Sequence, residues 1–333
     1  MKVSRRNFLG MLAASGLVEG IPAVGHAADV REKPFTTVLD KALIAMIADD
    51  ETCERIAKAG FSGVELRKKG VTVEQALEGR RTAEKHGIRI HSLMGGGADF
   101  NNPDPDARRQ SIETMKQRLQ VAAAYGASTM LLVPCRLDGM TMPKPSQFKI
   151  DFDPQTLRVT TVAEGDNKPF AAYIEAQNKT TELTREAVKQ IIPTAAREGV
   201  IIAIENVWNN LWITPDFAAA FVRSFDSPWV KAYFDLGNHV RYTPTEQWLR
   251  TLGSSIVKLH IKDFKIDRTK KNDGTFVPLG KGSIDWKSVR RVIDEVGYNG
   301  WVTIEENGYT DAEYSGIMDR FFAGQDLLTG GNA

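Results

Sequence analysis

The sequence predicts an α/β protein, a single-domain (β/α)8 barrel with a long insertion after its fourth strand. Apolar, β-rich runs alternate with stretches of helical period, at intervals that suit βα units. Eight such units follow one another, and a chain of 333 residues holds a barrel of about 250 residues plus insertions without a second domain. Eight units at this length argue for a closed parallel barrel over an open doubly wound sheet.

The elements read in order. The first strand lies at 37–44, with a helix at 51–59 that stops at Gly60. Strand two is Gly63–Leu66, before a helix at 73–86 ended by Gly87. Strand three, 88–94, leads into Gly95, Gly96 and Gly97, and a helix at 106–125 stops at Gly126. The glycine run lacks the Lys-Ser/Thr of a phosphate loop, so it reads as flexible backbone. Strand four is 129–134. The stretch 136–181, with Pro143, Pro145, Pro154 and Pro169, reads as an insertion loop with one hairpin near 156–162. A helix resumes at 182–198. Strands five to eight fall at 200–205, 230–235, 256–260 and 301–305, with helices at 215–224, 245–251 and 286–296 between them. A closing helix occupies 312–327. The barrel domain is thus 36–328.

Hydrophobic residues make up 42% and charged residues 26%, ordinary for a globular protein. The N-terminus carries Ser4-Arg5-Arg6-Asn7-Phe8-Leu9, an apolar stretch from Leu9 to Val24, and small residues at Gly25, Ala27 and Ala28. This pattern predicts a twin-arginine (Tat) export signal over 1–28 and a periplasmic or other extracytoplasmic location. Glu19 and Pro22 interrupt the apolar stretch, which is too short to be a good membrane span. Formal net charge is +1, and removing Lys2, Arg5, Arg6 and Glu19 with the signal leaves it near zero. Neither nucleic acid nor, once the signal is cleaved, a membrane is an expected partner. Cys53 and Cys135, the two cysteines, have no framework spacing and read as free core residues.

Four successive strands end in an ionisable residue: Glu205, Asp235, His260 and Glu305. The C-terminal mouth of a barrel carries its active site, so the four would converge there. Taken singly, each reads equally as a helix cap or the partner of a loop lysine. Together, three carboxylates at a desolvated mouth repel one another unless a cation sits between them. Three carboxylates and one imidazole favour one divalent ion, Mn²⁺ first, with Mg²⁺, Co²⁺ or Zn²⁺ as alternatives.

The runs Ile-Glu205-Asn206, Phe-Asp235-Leu-Gly-Asn238, Lys258-Leu-His260-Ile-Lys262-Asp263 and Gly-Tyr298-Asn-Gly-Trp301-Val-Thr-Ile-Glu305 resemble the sugar phosphate isomerase/epimerase family of xylose isomerase-like barrels, which includes ketose 3-epimerases and inosose dehydratases. The similarity spans nearly all of 36–328, with a longer 136–181 stretch than most members. The resemblance implies that Glu205, Asp235, His260 and Glu305 hold the metal. It also implies that Glu205 and Glu305 act as acid/base groups on opposite faces of a carbohydrate substrate. Sugar epimerases often carry His where this chain has Asn238, which changes a substrate contact. Glu306 would point the other way along the strand from Glu305.

Further substrate candidates are Glu65 and His91, read as ending strands two and three, together with Trp208, Asn238 and Lys262. Each has a bland alternative: a hydrogen-bonded mouth residue, loop packing by Trp208 and Trp212, or a solvated Lys262–Asp263 pair. His86 and His239 read as surface residues.

The chemistry expected of such a mouth is removal of the proton beside a sugar carbonyl, with the enediolate stabilised electrostatically. Reprotonation gives an epimer or an aldose/ketose pair, and loss of a β-substituent gives elimination; all share the first step. Export favours a non-phosphorylated sugar or keto-sugar. The rival readings are a DNA-repair endonuclease on the same barrel, disfavoured by five histidines and the charge balance, and a sugar-binding protein, disfavoured by the paired glutamates.

Overall fold

The computed structural model describes residues 34–328. The candidate export signal lies outside them. Eight parallel strands close into a barrel: β1 (Leu39–Ala45), β2 (Gly63–Leu66), β3 (Arg89–Gly97), β4 (Thr129–Val133), β5 (Ile201–Glu205), β6 (Val230–Asp235), β7 (Ile256–Ile261) and β8 (Gly300–Ile304), with β8 pairing back onto β1. Helices α1 (Asp50–Lys58), α2 (Val73–Lys85), α3 (Pro105–Tyr125), α4 (Ala171–Glu198), α5 (Pro215–Arg223), α6 (Thr245–Leu252), α7 (Trp286–Glu295) and α8 (Asp311–Phe322) follow the strands in turn. The expected (β/α)8 architecture is therefore present.

Local chemistry sets the boundaries. Thr72 and Gln75 close a capping box on α2, and Thr310 and Glu313 do the same for α8. Gly126 and Gly199 take the left-handed conformation that ends α3 and α4. Most of the apolar core lies between the strands and the helices, including Phe217, Phe221, Phe234 and Trp248. Inside the barrel a second small cluster holds Leu131, Val133, Ala203 and Tyr233.

Strand alternation turns every second side chain toward the barrel axis. On the floor, Trp301 stacks on His91 at 4.8 Å, and a side chain at Gly63 would collide with the Trp301 ring. His91 Nε2 lies 3.1 Å from Thr303 Oγ1, which in turn lies 3.4 Å from the Tyr233 hydroxyl. The inward residues one step further along β5, β6 and β7 are Glu205, Asp235 and His260, placed at the mouth by this period-two rule.

Several expectations are corrected. β3 does not end at His91 or Met94 but runs on to Gly97, because Gly95 lets it approach β4: a Cβ there would stand 2.7 Å from Leu131 O. α4 begins at Ala171 rather than 182, so the last part of the expected insertion loop is helical. Its buried face there is polar, with Gln177, Thr180 and Thr181, which hid the helical period. An unexpected antiparallel hairpin, Asp263–Ile266 with Gly274–Val277, follows β7. The hairpin anticipated within the insertion pairs Asp151–Phe152 with Val159–Thr161. Cys53 and Cys135 are free and buried, as expected. Among the described residues no helix is long and apolar enough to cross a membrane.

Candidate metal centre and active site

Glu205, Asp235, His260 and Glu305 come together at the mouth, each offering a ligand atom within 4.8 Å of the others. The first three are buried, and the Glu305 side chain retains 26% exposure. Glu305 follows the last residue of β8, where the strand opens into its loop. Its neighbour Glu306 points elsewhere, with Oε1 accepting from the Leu279 amide.

Each ligand is held by its neighbours. Asp235 Oδ1 accepts hydrogen bonds from the amides of Gly237, at 2.9 Å, and Asn238, at 2.6 Å, which leaves Oδ2 for the cluster. Gly237 is required here: a Cβ would lie 2.5 Å from Lys262 O. The Asn206 side chain clips the β6 end to β5, accepting from the Asp235 amide and donating to the Asp235 carbonyl. His260 Nε2 lies 2.6 Å from Glu65 Oε2, and Glu65 Oε1 accepts from Ser92 Oγ. His260 Nδ1 is thereby turned toward the acids, 3.1 Å from Glu305 Oε2 and 3.6 Å from Glu205 Oε1.

The electrostatics are those of an anionic nest. Burial pushes the Asp235 carboxyl up to about 7, with Glu305 and Glu205 adding to the effect and Lys262 and His260 opposing it. For Glu305 burial is outweighed by the charges of His260 and Lys262, which hold it below the usual carboxylate range. Lys262 Nζ lies 2.6 Å from Glu305 Oε2 and 3.2 Å from Asp235 Oδ2. His260 Nδ1 and Asp235 Oδ2 are both buried and make no hydrogen bond. Two buried atoms without a hydrogen bond, an imidazole nitrogen and a carboxylate oxygen that can each offer a lone pair, lie among further carboxylate oxygens and fit a divalent cation.

The remaining candidates divide. Asn238 is buried, its amide 3.5 Å from Glu205 Oε1, and Lys262 stands inside the cluster. Trp208 is half-buried at the rim, donating from Nε1 to Asn238 O with the Arg241 guanidinium 3.6 Å over its ring. Glu65 is fully buried beneath the site, bound to His260 and Ser92, so it supports a ligand. His91 is buried in the barrel floor, away from the mouth. Trp212 packs on Phe221 at 3.9 Å in the core. The alternative of a solvated Lys262–Asp263 pair is not met: Asp263 is buried and accepts from the Gly280 and Gly282 amides and Trp286 Nε1. His239 is also buried rather than superficial, packed near Tyr242 and Trp248, whereas half-buried His86 caps α2 beside Asp50.

A cleft next to Glu305 is lined by Glu306 and by Arg55, Arg67, Tyr309 and Asp311, four residues the sequence did not single out. Arg67 directly follows β2, and that strand-end position was the available signal.

Residues 53–319 match the family model described as xylose isomerase-like TIM barrel. The chain belongs to this family. Among characterised relatives, L-ribulose-5-phosphate 3-epimerase UlaE of Escherichia coli O1:K1 / APEC is 30% identical over 260 residues, covering 77% of this chain and 74% of the relative. The family fold recurs in a D-tagatose 3-epimerase-like protein, with TM-score 0.63 and 17% identity over 85% of this chain and 96% of that one. It recurs also in D-psicose 3-epimerase from Clostridium cellulolyticum H10, with TM-score 0.58 and 19% identity over 86% and 91% of the two chains.

Proposed function

We propose that this protein is a metal-dependent sugar isomerase/epimerase that acts on a non-phosphorylated sugar or keto-sugar by removing the proton beside its carbonyl. Membership in the family and similarity to a named 3-epimerase make it an isomerase/epimerase enzyme acting on a small sugar. The observation that carries the metal dependence is the convergence of four ligand groups, with His260 Nδ1 and Asp235 Oδ2 left without hydrogen bonds. Three carboxylates with one imidazole favour Mn²⁺.

When bound, a divalent ion there supplies a Lewis acid that polarises a carbonyl and orients the adjacent hydroxyl. The residues perform the proton chemistry. Glu205 and Glu305 come from β5 and the end of β8, on different sides of the mouth, so one can take the proton and the other return it. Asn238, against Glu205, and Lys262, against Glu305, place one donor beside each glutamate to position it or a substrate oxygen.

A second reading shares the same first step: loss of a β-substituent from the enediolate, in place of reprotonation, is β-elimination from a keto-glycoside or keto-polyol, a carbon–oxygen lyase reaction. Incubating the metal-loaded protein with free and 3-keto sugars in D₂O, and locating the exchanged carbon by NMR, separates these outcomes. Binding of a sugar without exchange or turnover would make the protein a periplasmic sugar-binding protein instead.

The choice of a non-phosphorylated substrate rests on the Tat-like N-terminus. Replacing Arg5 and Arg6 by Lys should retain the protein in the cytoplasm, and N-terminal sequencing of the exported form should begin near Ala28 or Asp29. A cytoplasmic wild-type protein would remove the argument against phosphorylated substrates.

A further inference from the structure

Among the described residues, five large hydrophobic side chains are exposed, and Phe276 is the one aromatic among them, with 42% exposure. It sits on the hairpin after β7, directly across from Phe264 in the strand register. Phe264 is fully buried and meets the Phe276 ring edge-on at 5.2 Å. Trp208 braces the same ring at 5.0 Å, and is itself fixed by its hydrogen bond to Asn238 O and by the overlying Arg241 guanidinium. Phe276 is thus exposed yet held in place from behind, so little side-chain freedom remains to be lost when a ligand covers it.

Its position links it to the reacting centre. Lys262 Nζ stands 5.4 Å from the Phe276 ring centroid and within 2.6 Å of Glu305 Oε2 and 3.2 Å of Asp235 Oδ2. A sugar held between Glu205 and Glu305 would have Lys262 beside it, and Phe276 is the exposed aromatic surface adjoining that lysine. Exposed apolar surface contiguous with a polar, charged site marks a ligand contact rather than incidental exposure. An aromatic face suits the axial C–H side of a pyranose, while the hydroxyls at the rim stay in water.

We propose that Phe276, braced by Trp208 and Phe264, is a specificity-determining subsite for the second ring of a glycosidic keto-sugar. The natural substrate is accordingly a disaccharide or other glycoside rather than a free monosaccharide. This rests on the isomerase reading and narrows its substrate class.

The test compares 3-keto-trehalose with 3-keto-glucose, which share the keto ring and differ in the second ring. Titration of the Mn²⁺-loaded full chain should show tighter binding of 3-keto-trehalose. Phe276→Ala should raise its Kd about tenfold, the effect of losing one well-placed aromatic contact, with a much smaller change for 3-keto-glucose. Phe276→Tyr should restore the preference. Equal losses on both sugars, or no preference in the wild type, overturn the subsite. Deuterium exchange into either sugar, read in the same samples, keeps that failure apart from failure of the isomerase reading, which predicts exchange whatever Phe276 does. A misfolded alanine variant is recognised by lost metal content, and Phe276→Leu, which keeps bulk without the aromatic face, then decides the point.

Discussion

His260 Nε2 and Glu65 Oε2 stand 2.6 Å apart, both side chains fully buried, one floor below the cluster of acids. Glu65 occupies the inward position of β2 while His260 comes from β7, so the contact crosses the barrel interior. It fixes the imidazole plane and points Nδ1 at the acids. A carboxylate behind a ligating histidine orients the ring and raises its basicity, and removing such a partner typically weakens metal binding about 10–100-fold. Glu65→Gln should therefore reduce Mn²⁺ affinity in that range by calorimetry while the fold persists. Asp235→Ala, which deletes a ligand, should abolish stoichiometric binding. Wild-type affinity in both variants would remove the metal from the site.

The insertion offers a second prediction. Arg136 Nη1 donates to Trp208 O, the Leu137 amide donates to Asn209 O, the Ser146 amide donates to Asp273, and Phe148 packs edge-on against Tyr242 at 5.7 Å. The segment after β4 thus lies across the loops that follow β5, β6 and β7, all on the catalytic face. Replacing residues 140–165 by a short Gly/Ser linker should change the relative kcat/KM of large and small sugars and leave far-UV circular dichroism unchanged. Unaltered kinetics on every active sugar would separate the insertion from the site.

A third prediction concerns pH. Burial, with the charges of Arg241 and Lys262, lowers His239 to about 3, against the opposing effect of its bond to Val207 O. The ring also faces Tyr242 and Trp248. The unfolded chain, with an ordinary histidine near 6.5, binds the proton that the native state refuses. His239 consequently costs no stability above pH 6.5, and stability falls as pH drops from 6.5 toward 3. The slope is on the order of 1 kcal/mol per pH unit. His91, lowered by burial and by Lys258, His260 and Arg89, acts in the same direction. Denaturant titrations at pH 7, 6, 5 and 4 should show a shallower acid loss for His239→Gln than for wild type. Parallel pH dependences would contradict a neutral buried His239.

Much of this was legible in advance for a topological reason. In a parallel barrel every strand ends at the same mouth, so Glu205, Asp235, His260 and Glu305 could be grouped from strand ends without knowing a single long-range contact. The boundaries of β2 and β6 match the reading residue for residue, since short apolar runs there are sharply bounded. What escaped depends on tertiary partners. Asp263 looks like a solvated loop acid until Gly282, whose Cβ would collide with its carboxylate, brings two amides to it. The hairpin after β7 does carry a turn signal, Asn272-Asp273-Gly274, but its strands are short, and Phe276 looks like any loop aromatic without its braces. His239 follows Asn238 in a loop, and the packing of Tyr242 and of Trp248 from α6 buries it.

The last prediction separates the two glutamates. Glu205 is nearly fully buried and receives the Asn238 amide, while Glu305 is partly open and receives the Lys262 ammonium. If they work on opposite faces of the substrate, Glu205→Gln and Glu305→Gln should each keep the fold and lose about 10²–10⁴-fold in turnover, the usual cost of removing a general acid or base. Both also offer ligand atoms, so metal content has to be measured in the same samples. Isotope exchange gives the sharper readout. With metal bound, the variant lacking only the returning group should still exchange the substrate proton with solvent deuterium but deliver none to the other face; the variant lacking the base should do neither. Near wild-type turnover by both metal-loaded variants would transfer the proton chemistry to another mouth residue, and Lys262 would then be the first to replace.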